Sequence, residues 1–274
     1  SLEGEEDSPI SGSLTAIDTA VTSLAFSNST SGAVSIAEAN GLSVSGSNGG
    51  TAGITVSTAT GNLAIANNIS GGGAVNLAAT TGSITRTAGT VSGTAVNLAA
   101  GSAIGEAGNA VLTNTGNVDF TAGSGATITN AGAASFIGSS TAGDIALTTQ
   151  TGNLSIGGNI ASADGVALTA TAGNIVRTAG TVSGNAVSLT ASGTIGALGN
   201  AILTDASSVA FGSGGEVDIT EANGASFSGT TSADDVRLTS TTGSLDVGVA
   251  GIASNGGDIT LTADAMQLGG AVNA

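Results

Sequence analysis

The chain of 274 residues carries nineteen acidic side chains, three arginines and no His, Lys, Cys or Tyr. That inventory removes Ser-His-Asp and Cys-His catalysis and most zinc chemistry. Paired carboxylates could still serve a glycosidase or lyase, but the acids are scattered, nine of the nineteen falling between Asp205 and Asp264. Asp235 precedes Val236 as Asp258 precedes Ile259, so the two acids occupy matching places one short period apart. Like charges placed in that way either stay solvated or hold a cation. Asp235 and Asp258 are therefore the only candidate Ca²⁺ ligands, and a solvated face is the simpler reading because no Gly-Gly-x-Gly-x-Asp calcium repeat occurs. No catalytic or cofactor-binding residue is expected, and the chain reads as a non-enzyme.

Arg86 and Arg177 stand two residues after an apolar Ile in matching contexts. Strict strand alternation would turn them inward, which an unpaired charge resists, so each is expected to leave at a corner. Glu106 is placed to pair with Arg86, whereas Ala197 occupies the corresponding place for Arg177. Such a pair would be local. Arg237 should point outward beside Asp234 and Asp235, where an ion pair is worth roughly 0–1 kcal/mol. Gly-rich runs such as 70–73 read as turns, because no Lys or helix follows to make a phosphate loop.

These groups are positioned by a repeat. Residues 60–100 return at 151–191 with 25 of 41 positions unchanged, including the octapeptide at 86–93 and 177–184. A shorter beat runs inside it: Val56, Leu77, Leu98, Phe120, Leu147, Leu168, Leu189, Phe211, Leu238 and Leu261 are spaced by 21, 21, 22, 27, 21, 21, 22, 27 and 23. The 91-residue unit thus reads as four coils. Periods of this length mean units that cover their apolar faces only by stacking.

Val75-x-Leu77, Val96-x-Leu98 and Val166-x-Leu168 alternate with period two, as half-buried strands do. Two further apolar columns follow, one through Ile84, Ile104, Ile128 and Leu154, the other through Val91, Leu112, Phe136 and Ile160. Three short strands and three turns per 21–27 residues describe an all-β, right-handed parallel β-helix, since parallel crossovers are overwhelmingly right-handed. Ten intervals at about 4.8 Å make a rod on the order of 48 Å. All five Phe belong to inward columns. The alternative is an antiparallel sandwich or propeller, which accounts poorly for three regular columns. Thr-x-Thr pairs such as Thr127/Thr129 and Thr169/Thr171 fall at different places around the coil, so no continuous Thr ladder able to order water or ice is expected.

Forty-six glycines, one proline and five Phe as the only aromatics suit a narrow core. A formal charge of −16 opposes nucleic acid and anionic membranes. No apolar run approaches the roughly 20 residues that span a bilayer. Residues 1–20, with Glu3, Glu5, Glu6, Asp7 and Pro9, are read as an acidic leader or capping segment. Residues 21–274 are read as one continuous solenoid stopping partway through a coil, which leaves strand edges for a continuing parent chain or an identical subunit.

Thr60-Gly-Asn-Leu-Ala-Ile, Gly73-Ala-Val-Asn-Leu-Ala-Ala and Asn117-Val-Asp-Phe-Thr-Ala resemble the repeats of large bacterial exoproteins of the filamentous-haemagglutinin type. The resemblance covers about residues 21–274. It implies a right-handed β-helical stalk or fibre outside a Gram-negative cell, secreted by the two-partner or autotransporter route and serving adhesion, biofilm or matrix. The competing readings are a head-to-tail polymerising subunit, a non-catalytic glycan- or ion-binding module, and a polysaccharide-degrading enzyme.

Overall fold

The structure is a computed structural model that describes residues 16–232 and 234–274. It is all-β: parallel strands stack as a β-solenoid of about 12 turns, consistent with a right-handed parallel β-helix. At about 4.8 Å per layer the rod is roughly 58 Å long. Gly, Ser, Thr and Asn are poor helix formers, and the alternating Val-x-Leu segments bury one face each. Val75, Leu77 and Ala79, for example, are all at most 1% exposed, and Val96 and Leu98 above them at most 2%. Ile17–Thr19, within the segment read as leader or cap, already pairs with the strand Val34–Glu38. Residues 1–15 lie outside the described residues.

Each coil has two flanks. On one, a straight strand of five or six residues crosses the rod; on the other, the chain bends and makes two short sides. In the first block the straight strands are Ile54–Thr58, Val75–Ala79, Val96–Ala100 and Asn117–Ala122, stacked without slippage. The bent flank thickens layer by layer. One residue, Ser45, separates Val44 from Gly46; three residues, 66–68, separate Ile65 from Ile69; four, 87–90, separate Arg86 from Val91; and six, 105–110, separate Ile104 from Val111. The next layer, Ala126–Asn130, spans that gap with Thr127 alone. The flank has become straight.

Opposite it, the formerly straight flank then begins to thicken: Ile137, residues 157–159, residues 178–181, and the loop 196–201, which Asp218 alone spans in the following layer. The register therefore corrects one detail of the coil count. Offsets between stacked residues run from 17 to 23, and no coil has 27 residues. Phe120 lies beneath Gly138, while Leu147 lies above Ile128 on the other flank. The 27-residue interval is one and a half short coils, and the 91-residue repeat is four and a half coils.

Three Phe–Gly pairs recur where thickening starts. Gly46, Gly138 and Gly229 stack on Phe26, Phe120 and Phe211. A Cβ on Gly138 would lie 2.2 Å from the Phe120 carbonyl oxygen and 2.6 Å from its ring, so only Gly lets the coil close over an aromatic side chain. Phe120, Phe136, Phe211 and Phe227 are buried and Phe26 partly so.

Candidate functional site

Most of the chemically capable residues hold the coil together. At the ends of three straight strands, Val34–Glu38, Ala126–Asn130 and Val217–Glu221, one inward polar side chain binds the layer below. Glu38 accepts hydrogen bonds from Thr19 Oγ1 (2.7 Å) and the Val21 N–H (2.9 Å). Asn130 accepts from Thr113 Oγ1 (2.8 Å) and the Thr115 N–H (3.1 Å). Glu221 accepts from Thr204 Oγ1 (2.6 Å) and the Ala206 N–H (3.0 Å). All three are buried, and buried polar groups are tolerated when satisfied in this way. The donations by the Val21 N–H and the Thr19 hydroxyl hold the Glu38 carboxyl below its ordinary range, outweighing the opposing effect of burial.

Arg86 and Arg177 also serve a repeated purpose. Arg86 Nε donates to the Gly89 carbonyl (2.8 Å), and Asn109 Nδ2 donates to the Arg86 carbonyl (2.7 Å). In the second copy Arg177 Nε donates to the Ala201 carbonyl (2.9 Å) and Asn200 Nδ2 to the Arg177 carbonyl (2.9 Å). Both arginines brace the six-residue loops. The expected Arg86–Glu106 pair does not form: Glu106 is exposed and lends its main chain to the turn, exchanging bonds with Asn109.

The acidic end is organised around Arg237. Its guanidinium pairs with Glu216 and, at 2.8 Å, with Asp235 Oδ2. Asp218 lies in register beside it. Burial raises the Asp218 pKa, Arg237 opposes that shift and Glu216 adds to it. Asp235 and Asp258 do occupy adjacent layers, but Asp235 Oδ1 accepts the Asp258 N–H at 3.0 Å and Oδ2 faces Arg237. Both Asp235 oxygens are thus engaged within the chain. Among the described residues no group of three or more His, Cys, Asp or Glu is placed to hold a metal ion, and no helix is long and apolar enough to cross a membrane.

Two outward columns were not anticipated. Thr129, Thr148, Thr169 and Thr190 stack in register, so a continuous Thr ladder does form, from one Thr per layer and not from Thr-x-Thr pairs. On the straight flank of the first block, Thr55, Asn76, Asn97 and Asp119 stack likewise. Asn97 Nδ2 donates to Asn76 Oδ1 (2.6 Å), and Asn76 Nδ2 donates to Thr55 Oγ1 (3.3 Å). This amide ladder walls a shallow groove of about 260 Å³ whose other side is formed by Ala78, Ala99 and Thr121. The signal was present in the sequence, since the Asn of Val75-Asn-Leu77 and of Val96-Asn-Leu98 are separated by one coil.

Compared with known protein families, characterised proteins and solved structures, the chain has no match. The second copy supplies an internal comparison instead. At the places of Thr55, Asn76, Asn97 and Asp119 it has Ala146, Ala167, Ser188 and Ala210. The caps, braces and Phe–Gly pairs recur between copies, and the amide ladder does not.

Proposed function

We propose that this chain is a structural and adhesive segment of a bacterial surface or secreted protein, a stalk of the filamentous-haemagglutinin style. The observation that carries the reading is continuity: one narrow apolar core and one parallel ladder run through about 12 turns. Length and stiffness are what such a stack supplies, because each layer rests only on its neighbours. On this reading the chain is extracellular and non-enzymatic, and its partners are adjoining segments of a parent chain or cell-surface glycans and proteins. Electron microscopy of the purified chain should find rods about 58 Å long, and beads coated with it should adhere to cells above an uncoated control. Globular particles, or coated beads no stickier than bare ones, would count against it.

Head-to-tail assembly is a second reading, favoured by one observation. On the last layer Met266 and Leu268 are 47% and 64% exposed, at positions stacked on the buried Leu245 and Val247. A further coil, from a parent chain or a second copy, would cover them. Long unbranched fibres in the same micrographs support a second copy; monodisperse rods argue against it.

A further inference from the structure

We propose that the groove beside the Thr55–Asn76–Asn97–Asp119 ladder binds an extended neutral polysaccharide lying parallel to the rod axis. The proposal rests on the adhesive reading and gives it a ligand class. It begins with the hydrogen-bond inventory of the ladder. Each amide nitrogen carries two hydrogens, and Asn76 and Asn97 each spend one on the layer below. With its Nδ2 turned toward Asn76, Asn97 presents Oδ1 toward Asp119, the next group in register. Asn97 Oδ1 and the Asp119 carboxylate are thus two acceptors one layer apart, and among the described residues neither has a donor. Vicinal hydroxyls meet that requirement: they donate to both acceptors and accept the spare amide hydrogens.

The remaining lining fits the same ligand. Ala78 and Ala99 leave a low apolar shelf along the groove, on which the C–H faces of pyranose rings can lie. Layers repeat at about 4.8 Å, close to the length of one sugar in an extended chain. Charge selects among sugars, because Asp119 and a net charge of −16 repel uronic acids. With no aromatic platform the contact is weak, with a Kd of about 1 mM. An Asn ladder can also stabilise a stack with no ligand, and the test must separate the two roles.

The test is titration of the isotope-labelled full chain with cellohexaose, followed by amide NMR, with hexagalacturonate as the anionic counterpart. Cellohexaose should shift the amides of residues 76–78, 97–99 and 119–121, and hexagalacturonate should not. Asn97→Ala and Asp119→Ala should each weaken binding about tenfold while preserving the spectrum elsewhere, since the second copy folds with Ser188 and Ala210 at those places. Installing the ladder in the second copy through Ala146→Thr, Ala167→Asn, Ser188→Asn and Ala210→Asp should create a second set of shifts. The proposal is overturned if cellohexaose produces no shifts, if the shifts lie elsewhere, or if the two alanine variants bind like the parent. Should it fail while rods form and beads still adhere, the stalk reading survives without this site.

Discussion

Replacing Gly138 by Ala tests the layer geometry most directly. A Cβ there meets the Phe120 carbonyl oxygen at 2.2 Å, its Cδ1 at 2.6 Å and its Cγ at 2.7 Å. Comfortable carbon contacts lie near 3.5–4.0 Å, so the shortfall is about 1 Å in two directions. The ring could tilt, but the carbonyl belongs to a strand pair held by six register contacts from Asn117↔Ser135 to Ala122↔Ser140. Overpacking costs typically 1–3 kcal/mol, and a main-chain obstacle places this case at the upper end, about 3 kcal/mol. Gly212→Ala is the matched control, because its Cβ meets nothing within 4 Å; loss of unfolded-state freedom should stabilise that variant by about 0.5 kcal/mol. Guanidinium denaturation gives the global difference. Hydrogen exchange at residues 117–122 and 134–140 locates it, as expected where stability is a sum of layer and interface contributions. A Gly138→Ala variant within about 0.5 kcal/mol of the parent, or a Gly212→Ala variant equally damaged, would refute the stacking argument.

Glu221→Ala should cost about 3 kcal/mol by leaving a buried hydroxyl and main-chain N–H groups without their acceptor, measured as a shift in denaturation midpoint. Glu38 has a folded pKa below its ordinary value near 4.5, so its contribution is present above that pH and fades as pH falls through the folded value. Amide exchange at 17–21 should therefore accelerate on acidification below about pH 4.5, and Glu38→Gln should flatten that response; an unchanged acid limb in the variant would exclude Glu38 as its source. Asp218 behaves in the opposite sense. Its raised pKa means that its contribution is greatest below its unfolded value and is lost as pH rises through the folded one. Arg237→Ala should raise that pKa further, read from carboxyl NMR shifts against pH, while costing no more than about 1 kcal/mol at neutral pH because the ion pairs are partly exposed.

The fold was legible because it is written in spacing: Val56, Leu77 and Leu98 recur at one-coil intervals and stack as expected. The half-coil phase was not legible from them. Phe120 and Leu147 look alike in sequence, yet a six-residue loop ends between Ile104 and Val111 and returns the next layer to a straight path, shifting where later residues land. Periodicity in apolar residues records which side chains face inward and leaves open which flank they line. For the same reason Arg86 was matched to Glu106 by layer, when the loop turns Glu106 outward and brings Asn109 to the arginine. Glu38, Asn130 and Glu221 escaped notice because Asn and Glu share no label, although each ends a straight strand and accepts from a Thr one layer below.

The nine half-coils in each repeat have a geometric meaning. Thickening adds residues within the plane of a layer, so it widens the coil on that side while paired strands keep their spacing of about 4.8 Å. Because the repeat holds an odd number of half-coils, the next widening arises on the opposite side. A chain lengthened by copying this block therefore presents its bulges alternately on two faces, where an even number would have gathered them all on one.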